Sequence, residues 1–260
     1  MDGNGDRAAW VRAALQGSLL APAADREAAA GLDRLWPGTG DLIAQAHGFH
    51  RRAAAWGVRD KPGVPAARAV IFSACGLPPR DGPLHAQAAA EAPQALFGYC
   101  DPDAEATVVN RSLLALPDPG RVSARTADPA DPAGVLGDVM AWREIRAGRP
   151  VQVHAVLVPQ RWPGDLLRRV LAGYAQILPP GSSVALSAIQ YADGGYLAAC
   201  EAVTGARIWS HDPADVARTV AQAGLRLHPW GVRDAAQWGR PAPGGDRRPA
   251  RAICAVCTAA

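Results

Sequence analysis

The sequence predicts an α/β protein built on one doubly wound, mainly parallel sheet with helices on both faces, behind an N-terminal helical cap. Three observations predict it. From residue 68 onward, short apolar runs alternate with segments of helical period. The run 151–158 is nearly continuous in apolar residues, as a strand covered on both faces must be. Each run leads into a loop rich in Pro, Gly or Asp, which separates strand from helix.

The elements follow in order. Residues 7–58 are alanine-rich and helical in period. Asp25-Arg26-Glu27 opens one helix and Trp36-Pro37-Gly38 closes it; Asp41 begins another, with Leu42, Ile43, Ala46 and Phe49 on one face. The breakers Lys61-Pro62-Gly63-Val64-Pro65 divide the chain into a cap or lid, 1–63, and a sheet domain, 64–260. Strands are expected at 68–73, 95–100, 121–126, 151–158, 183–189, 225–230 and 250–256. Helices are expected at 83–92, 101–116, 132–146, 164–177 and 213–223, with Asp101 as the N-cap of the second. The last two strands lie too close in sequence for a full crossover helix, so one of them is expected to run antiparallel. The segment after Trp238, rich in Pro, Gly and Arg, reads as a linker to the last strand.

Composition excludes several classes of function. Of 260 residues 49% are hydrophobic and 20% charged, and the net charge is +3, too small for a nucleic-acid groove or an anionic membrane partner. Lys61 is the only lysine among 27 basic residues, so the arginines reflect coding bias rather than phosphate binding. The start lacks the basic and apolar regions of a signal peptide, and no apolar run reaches the ~18 residues of a membrane span, so a cytoplasmic location is expected. Five cysteines at irregular spacing read as reduced thiols. Cys254 and Cys257, three apart in a strand, point to opposite faces and leave zinc unsupported. His47 and His50 share a helix face without a third ligand, so no metal is expected.

In open α/β sheets ligands bind beyond the carboxyl ends of the strands. The residues there include Cys75-Gly76-Leu77-Pro78-Pro79, Asp101-Pro102, Ala127-Asp128-Pro129-Ala130-Asp131-Pro132, Gln160-Arg161-Trp162 and Gln190-Tyr191. None forms a G-x-G-x-x-G or a P-loop. Together with Ala23-Ala24-Asp25-Arg26-Glu27, Arg149-Pro150-Val151 and Leu178-Pro179-Pro180-Gly181-Ser182, three of these segments, in register over residues 17–230, resemble a family of small S-adenosylmethionine-dependent methyltransferases of high-GC bacteria. The matching family motifs are A-A-D-R-E, the end of D-x-G-T-G-L-P-T, the tail of D-N-D-P, and A-D-x-R-D-P. The resemblance implies a Rossmann-like sheet of the class I methyltransferase type and S-adenosylmethionine as the cofactor.

Carried over position by position, the resemblance places Asp128 against the adenine amino group and keeps Gly76 in the donor loop. Elsewhere the chain departs from the family. Phe72 stands where the loop acid belongs, Ala74 replaces the first loop glycine, and the carboxylate that bridges the ribose hydroxyls falls on Tyr99. Gly17-Ser18-Leu19-Leu20-Ala21-Pro22 replaces a polar G-G-K-D-N-F, and Ala46-His47 replaces an Asn-Arg pair. Each unpartnered polar group of a buried donor costs about 1–3 kcal/mol, so these departures argue against donor binding. The expected cofactor-binding residues are Gly76, Asp101, Asp128, Cys75 and His47. Phe72, Leu19, Leu20 and Trp162 are expected to wall a substrate pocket. The candidate catalytic residues are Arg161, to polarise a carbonyl, Tyr99, Gln190 and Tyr191 as neutral donors, and His154, whose alternative role is that of a hydrogen-bonded core histidine.

Three readings follow. In the first the pocket is repurposed for a non-methylating step in secondary metabolism, such as cyclisation or isomerisation of an apolar natural product. The alternative is a working methyltransferase acting on a small molecule, and a third reading is a non-catalytic partner protein. The expected partners are a small-molecule substrate and a second copy of the chain, with neither nucleic acid nor membrane.

Overall fold

The computed structural model describes residues 8–18, 20–62, 64–191, 194–205, 207–239 and 250–259. Leu19 and the Pro/Gly/Arg-rich segment 240–249 lie outside them. Three helices come first: α1 (Ala8–Leu15), α2 (Ala23–Leu35) and α3 (Thr39–Gly57). The sheet then forms from β1 (Ala69–Ser73), β2 (Leu96–Asp101), β3 (Val122–Thr126), β4 (Val151–Ala155), β5 (Ser183–Tyr191), β6 (Arg226–Leu227), β7 (Arg233–Asp234) and β8 (Ala250–Thr258). Its order is β3-β2-β1-β4-β5-β8-β6, with β7 also paired to β8. The first five strands are parallel, and β8 runs antiparallel to β5 over nine pairs, Ser183↔Thr258 to Tyr191↔Ala250. The antiparallel member of the closing pair is therefore the last strand. The order reverses between β1 and β4, and a ligand crevice is expected at their carboxyl ends.

Strand alternation divides the core between the two faces. Ile71, Val153, Leu186 and Cys257 pack with α8 (Gly164–Ile177) and α10 (Pro213–Gln222) on one side. On the other, Ala185, Ile189 and Cys254 pack against Ala46, Phe49 and Ala53 of α3. Val70, Phe72, Phe97 and Tyr99 pack there too, beside α4 (Ala86–Glu91). Cys254 and Cys257 thus occupy opposite faces, and all five thiols are buried and free.

Three local readings change. The second crossover helix, α5 (Ala104–Asn110), is capped by Asp103, whose carboxylate accepts from the N–H groups of Glu105 and Ala106. Asp101 is still part of β2 and its carboxylate is used elsewhere. The expected helix 132–146 breaks into α6 (Pro132–Leu136) and α7 (Val139–Arg146), because buried Asp138 caps α7 through Met140 N–H and accepts 2.7 Å from Ser123 Oγ. Helix α9 (Gly194–Thr204) is additional. Its residues YLAACEAV are apolar or small nearly all round, which erases the period that marks an amphipathic helix.

Gly40, in the first turn of α3, touches α1. A Cβ built there lies 2.6 Å from the carbonyl oxygen of Leu15, so backbone must move to admit it. Gly40→Ala is expected to cost about 1–3 kcal/mol through overpacking and to speed amide exchange in α1. Unchanged exchange in α1 would show that the contact does not hold that helix.

Candidate active site

The crevice is assembled from strand ends. After β1 the chain reverses through Ala74 (φ 52°) and Gly76 (φ 63°), both left-handed. This conformation is costly for alanine and free for glycine. Gly76 N–H donates 2.7 Å to Oδ2 of Asp101, and Asp103 N–H donates 3.0 Å to Oδ1. Asn110 Nδ2 holds the Gly76 carbonyl at 2.8 Å. Asp101 is 3% exposed. Burial holds its carboxyl above the ordinary carboxylate range, although Arg12 and the two N–H groups pull the other way.

Asp101, the final residue of β2, is therefore a buried carboxylate beside the loop after β1. Two residues earlier on the same strand stands Tyr99, the position on which the resemblance places the ribose-bridging carboxylate. Its ring packs inside the sheet 5.1 Å from Phe72, and its hydroxyl bonds His85 Nδ1 at 2.8 Å. Burial raises its pKa well above the usual phenol value, so Tyr99 is a packing residue.

Helix α1 lies over this loop. Trp10 Nε1 donates 2.7 Å to Asp103 Oδ2, and Arg12 Nη2 donates 3.2 Å to the Ala74 carbonyl. Ala9 and Ala13 pack on Leu77 and Ala106. A Cβ at Gly76 would sit 3.3 Å from Arg12 Nη2. Neither Trp10 nor Arg12 was legible as a site residue, because nothing in an amphipathic N-terminal helix says which loop it will cover.

Two hollows open on either side. One, of about 780 Å³ and open to solvent, is lined by Pro102, Thr126, Asp128, Val158, Arg161 and Trp162. Asp128 is exposed there, and its Oδ1 accepts 2.8 Å from Ala130 N–H. The other, of about 560 Å³ with the solvent space at its mouth included, lies at the ends of β4 and β5 under α1, α2 and α3. Aliphatic side chains such as Leu32, Ile43, Leu157 and Ile189 wall it, with the stacked pair Tyr191 and Tyr196 (centroids 4.0 Å apart) at one end. Arg161 lines both hollows.

The remaining sequence candidates are placed as follows. His154 is wholly buried in β4, with its Nδ1 2.8 Å from His50 Nδ1. His50 Nε2 lies 2.8 Å from Ser187 Oγ, which in turn accepts 3.1 Å from Leu157 N–H. Leu157 has a left-handed φ of 55°. His154 is thus a core histidine; it helps pin the turn after β4 and lines neither hollow. Cys75 is buried, and burial together with Asp101 raises its thiol far above the reactive range, so it is no nucleophile. His47 is buried and accepts 3.1 Å from Gln16 Nε2; burial, then Arg12, lowers its pKa to about 3. Gln190 Oε1 accepts 2.7 Å from Arg251 Nε, and Gln190 lines neither hollow.

Of the expected pocket walls, Phe72 is sealed in the core 4.8 Å from His154, and Leu20 is 53% exposed. Both are corrected: Phe72 faces α3 and α4, and Leu20 faces solvent. Leu19 lies outside the described residues. Trp162 does line the open hollow, with its buried part in the core. Arg161 and Tyr191 are the two catalytic candidates that face a hollow. Thr39, Tyr196 and Arg207 join them without any sequence signal. Among the described residues, no three His, Cys, Asp or Glu side chains converge as a metal site, and no helix is long and apolar enough to cross a membrane.

A parallel sheet closed by one antiparallel strand, with acids at the ends of β2 and β3, defines the class I methyltransferase fold. A family profile described as S-adenosyl methyltransferase matches residues 15–259, and the chain belongs to that family. A protein of Thermobifida fusca classed as a methyltransferase is 22% identical, covers 100% of this chain and 97% of its own, and superposes with a TM-score of 0.83. A protein of the family DUF574 from Streptomyces avermitilis is 23% identical over 97% of each chain, with a TM-score of 0.79. Magnesium protoporphyrin IX methyltransferase from Synechocystis, solved with S-adenosylhomocysteine bound, is 15% identical over 85% of each chain, with a TM-score of 0.53. At these identities the likeness shows the fold. No curated protein matches.

The residues fit the two ends of S-adenosylmethionine unequally. Asp128 lines an open hollow roomy enough for a nucleoside, and Asp101 stands beside the loop after β1 with both carboxylate oxygens bonded to backbone N–H groups. The face of Gly76, where the amino-acid end belongs, is covered by Ala9 and Arg12.

Proposed function

We propose that this protein transfers a methyl group from S-adenosylmethionine to a small apolar molecule. The observation that carries the reading is the pair of carboxylates at the ends of β2 and β3, Asp101 bonded to a left-handed glycine turn and Asp128 lining an open hollow that shares Arg161 with the apolar one. Bound there, the donor supplies an electrophilic methyl on a sulfonium. Asp101 accepts from the ribose hydroxyls and Asp128 from the adenine amine, while Gly76 permits close backbone approach. The aliphatic walls exclude water and hold the acceptor. Helices of segment 1–63 form the cover, and α1 lifts from Gly76 to admit the donor.

Calorimetric titration with S-adenosylhomocysteine tests this reading. Micromolar binding is expected, weakened roughly tenfold by Asp128→Asn through loss of a charge-assisted hydrogen bond. No binding up to millimolar ligand would overturn it.

A second reading is favoured by the Ala9–Arg12 cover on Gly76 and by Phe72 and Ala74 in the loop. Here the donor site is abandoned and the apolar hollow serves cyclisation or isomerisation of a natural product. Apolar probes would then raise the melting temperature while the methyl donor would not.

A further inference from the structure

The apolar hollow at the ends of β4 and β5 has an unusual set of polar groups. Its charged lining residues are Arg12, Arg161 and Arg207, all guanidiniums. Among the described residues that line it there is no carboxylate and no imidazole. Its other protic groups are poor bases. Burial, then the neighbouring phenol of Tyr196, raises Tyr191 well above the usual phenol value, and burial lifts the Cys200 thiol to about 11. The buried histidines around it, His47, His50 and His211, are committed to Gln16, to Ser187 and His154, and to the Pro159 carbonyl. A neutral alcohol or phenol bound here would find nothing among the described walls to take its proton.

We propose that the acceptor arrives already as an anion, a carboxylate on an apolar body, and that the hollow is a site for small amphiphilic acids. The aliphatic walls take the hydrocarbon, and the guanidinium of Arg207 at the rim takes the carboxylate by bidentate, charge-assisted hydrogen bonds. Arg207 is exposed at the rim, with its guanidinium carbon 5.3 Å from the Trp209 ring, which restrains it there. This inference rests on the proposed methyl transfer for its product, and the chemistry then balances without a base. A carboxylate oxygen lone pair forms the O–CH₃ bond, and the S–CH₃ bonding pair returns to sulfur. The products are a methyl ester and S-adenosylhomocysteine, and no proton moves.

The test is calorimetric titration with butanoate, hexanoate and octanoate and with their isosteric amides, at neutral pH, with and without S-adenosylhomocysteine. At least one acid is expected to bind tenfold or more tighter than its amide. Arg207→Ala should remove about tenfold of the acid's affinity and leave the amide unchanged. Equal binding of acid and amide, or no binding of any acid, overturns the proposal. Thermal unfolding of the Arg207→Ala protein controls for folding, and little change is expected at an exposed rim position. The outcomes separate from those for the donor. Binding of S-adenosylhomocysteine without acid binding leaves methyl transfer standing and removes this acceptor class. Acid binding without S-adenosylhomocysteine leaves an amphiphilic-acid site on a fold that does not methylate.

Discussion

Lowering the pH from 7 to 4 is expected to unfold this protein. His47, His50 and His154 are held neutral in the core, each lowered chiefly by burial; His47 and His154 fall to about 3, and His50 well below its ordinary value. In the unfolded chain each takes a proton near pH 6.5. Above that pH both states carry neutral imidazoles and the three residues contribute no slope. Below it the unfolded state binds more protons, and stability falls with pH until folded His47 and His154 themselves protonate near pH 3. Each group contributes roughly 1.4 kcal/mol per pH unit, or about 4 kcal/mol for the three. Against a total of about 5–15 kcal/mol, a loss of about 6 kcal/mol by pH 5 and about 10 kcal/mol by pH 4 removes most or all of the stability. The pair His50 and His154 titrates as a unit, because one Nδ1 accepts from the other across 2.8 Å and protonating that acceptor ring sets two donors face to face. Urea unfolding followed by circular dichroism at pH 7, 6 and 5 measures the slope, and a flat profile would refute this account of the core.

Asp101→Ala is expected to damage binding and stability together. The substitution leaves Gly76 N–H and Asp103 N–H without acceptors in a site that is 3% exposed. Two buried donors left unsatisfied cost roughly 2–4 kcal/mol, or about 5–12 °C in melting temperature for a chain of this size. Loss of the bidentate acceptor for a ribose diol should cost S-adenosylhomocysteine about a hundredfold or more in affinity. A cooler but fully binding variant would show that Asp101 only builds the loop. Unchanged stability would contradict the hydrogen bonds that tie β1 to β2.

Much of the fold was legible because the physics that sets it is local. Apolar runs of strand length, Asp–Pro helix starts such as Asp131-Pro132 and Asp212-Pro213, and stops such as Leu178-Pro179 need no distant partner to be read. The elements misread are those in which a tertiary contact outranks the local signal. Ser123, on a strand, helps fix buried Asp138 and so splits one expected helix into two. The all-round apolar α9 is buried by Tyr196 and Cys200 and carries no stripe.

The site was legible only in part. Asp128, Gly76 and Asp101 could be placed from motif spacing, since each lies at a strand end. Tyr99, where the resemblance places the ribose-bridging carboxylate, lies two residues before Asp101, and only the hydrogen bonds from Gly76 and Asp103 show that Asp101 is the carboxylate tied to the loop. Arg207, Thr39 and Tyr196 lie far apart in the chain and meet around one hollow, so no window of sequence contains them together.

The sequence by itself determined the doubly wound sheet, its strand-end loops and the family to which the chain belongs. Those depend on hydrophobic period and turn chemistry, both short-range properties of the chain. Only the tertiary structure decided that His154 is sealed beside His50, that Phe72 faces α3 and α4, and that α1 lies across the donor loop. These are questions of which surfaces meet, and a helix such as α1 gains its position from packing against Leu77 and Ala106, residues more than sixty positions away.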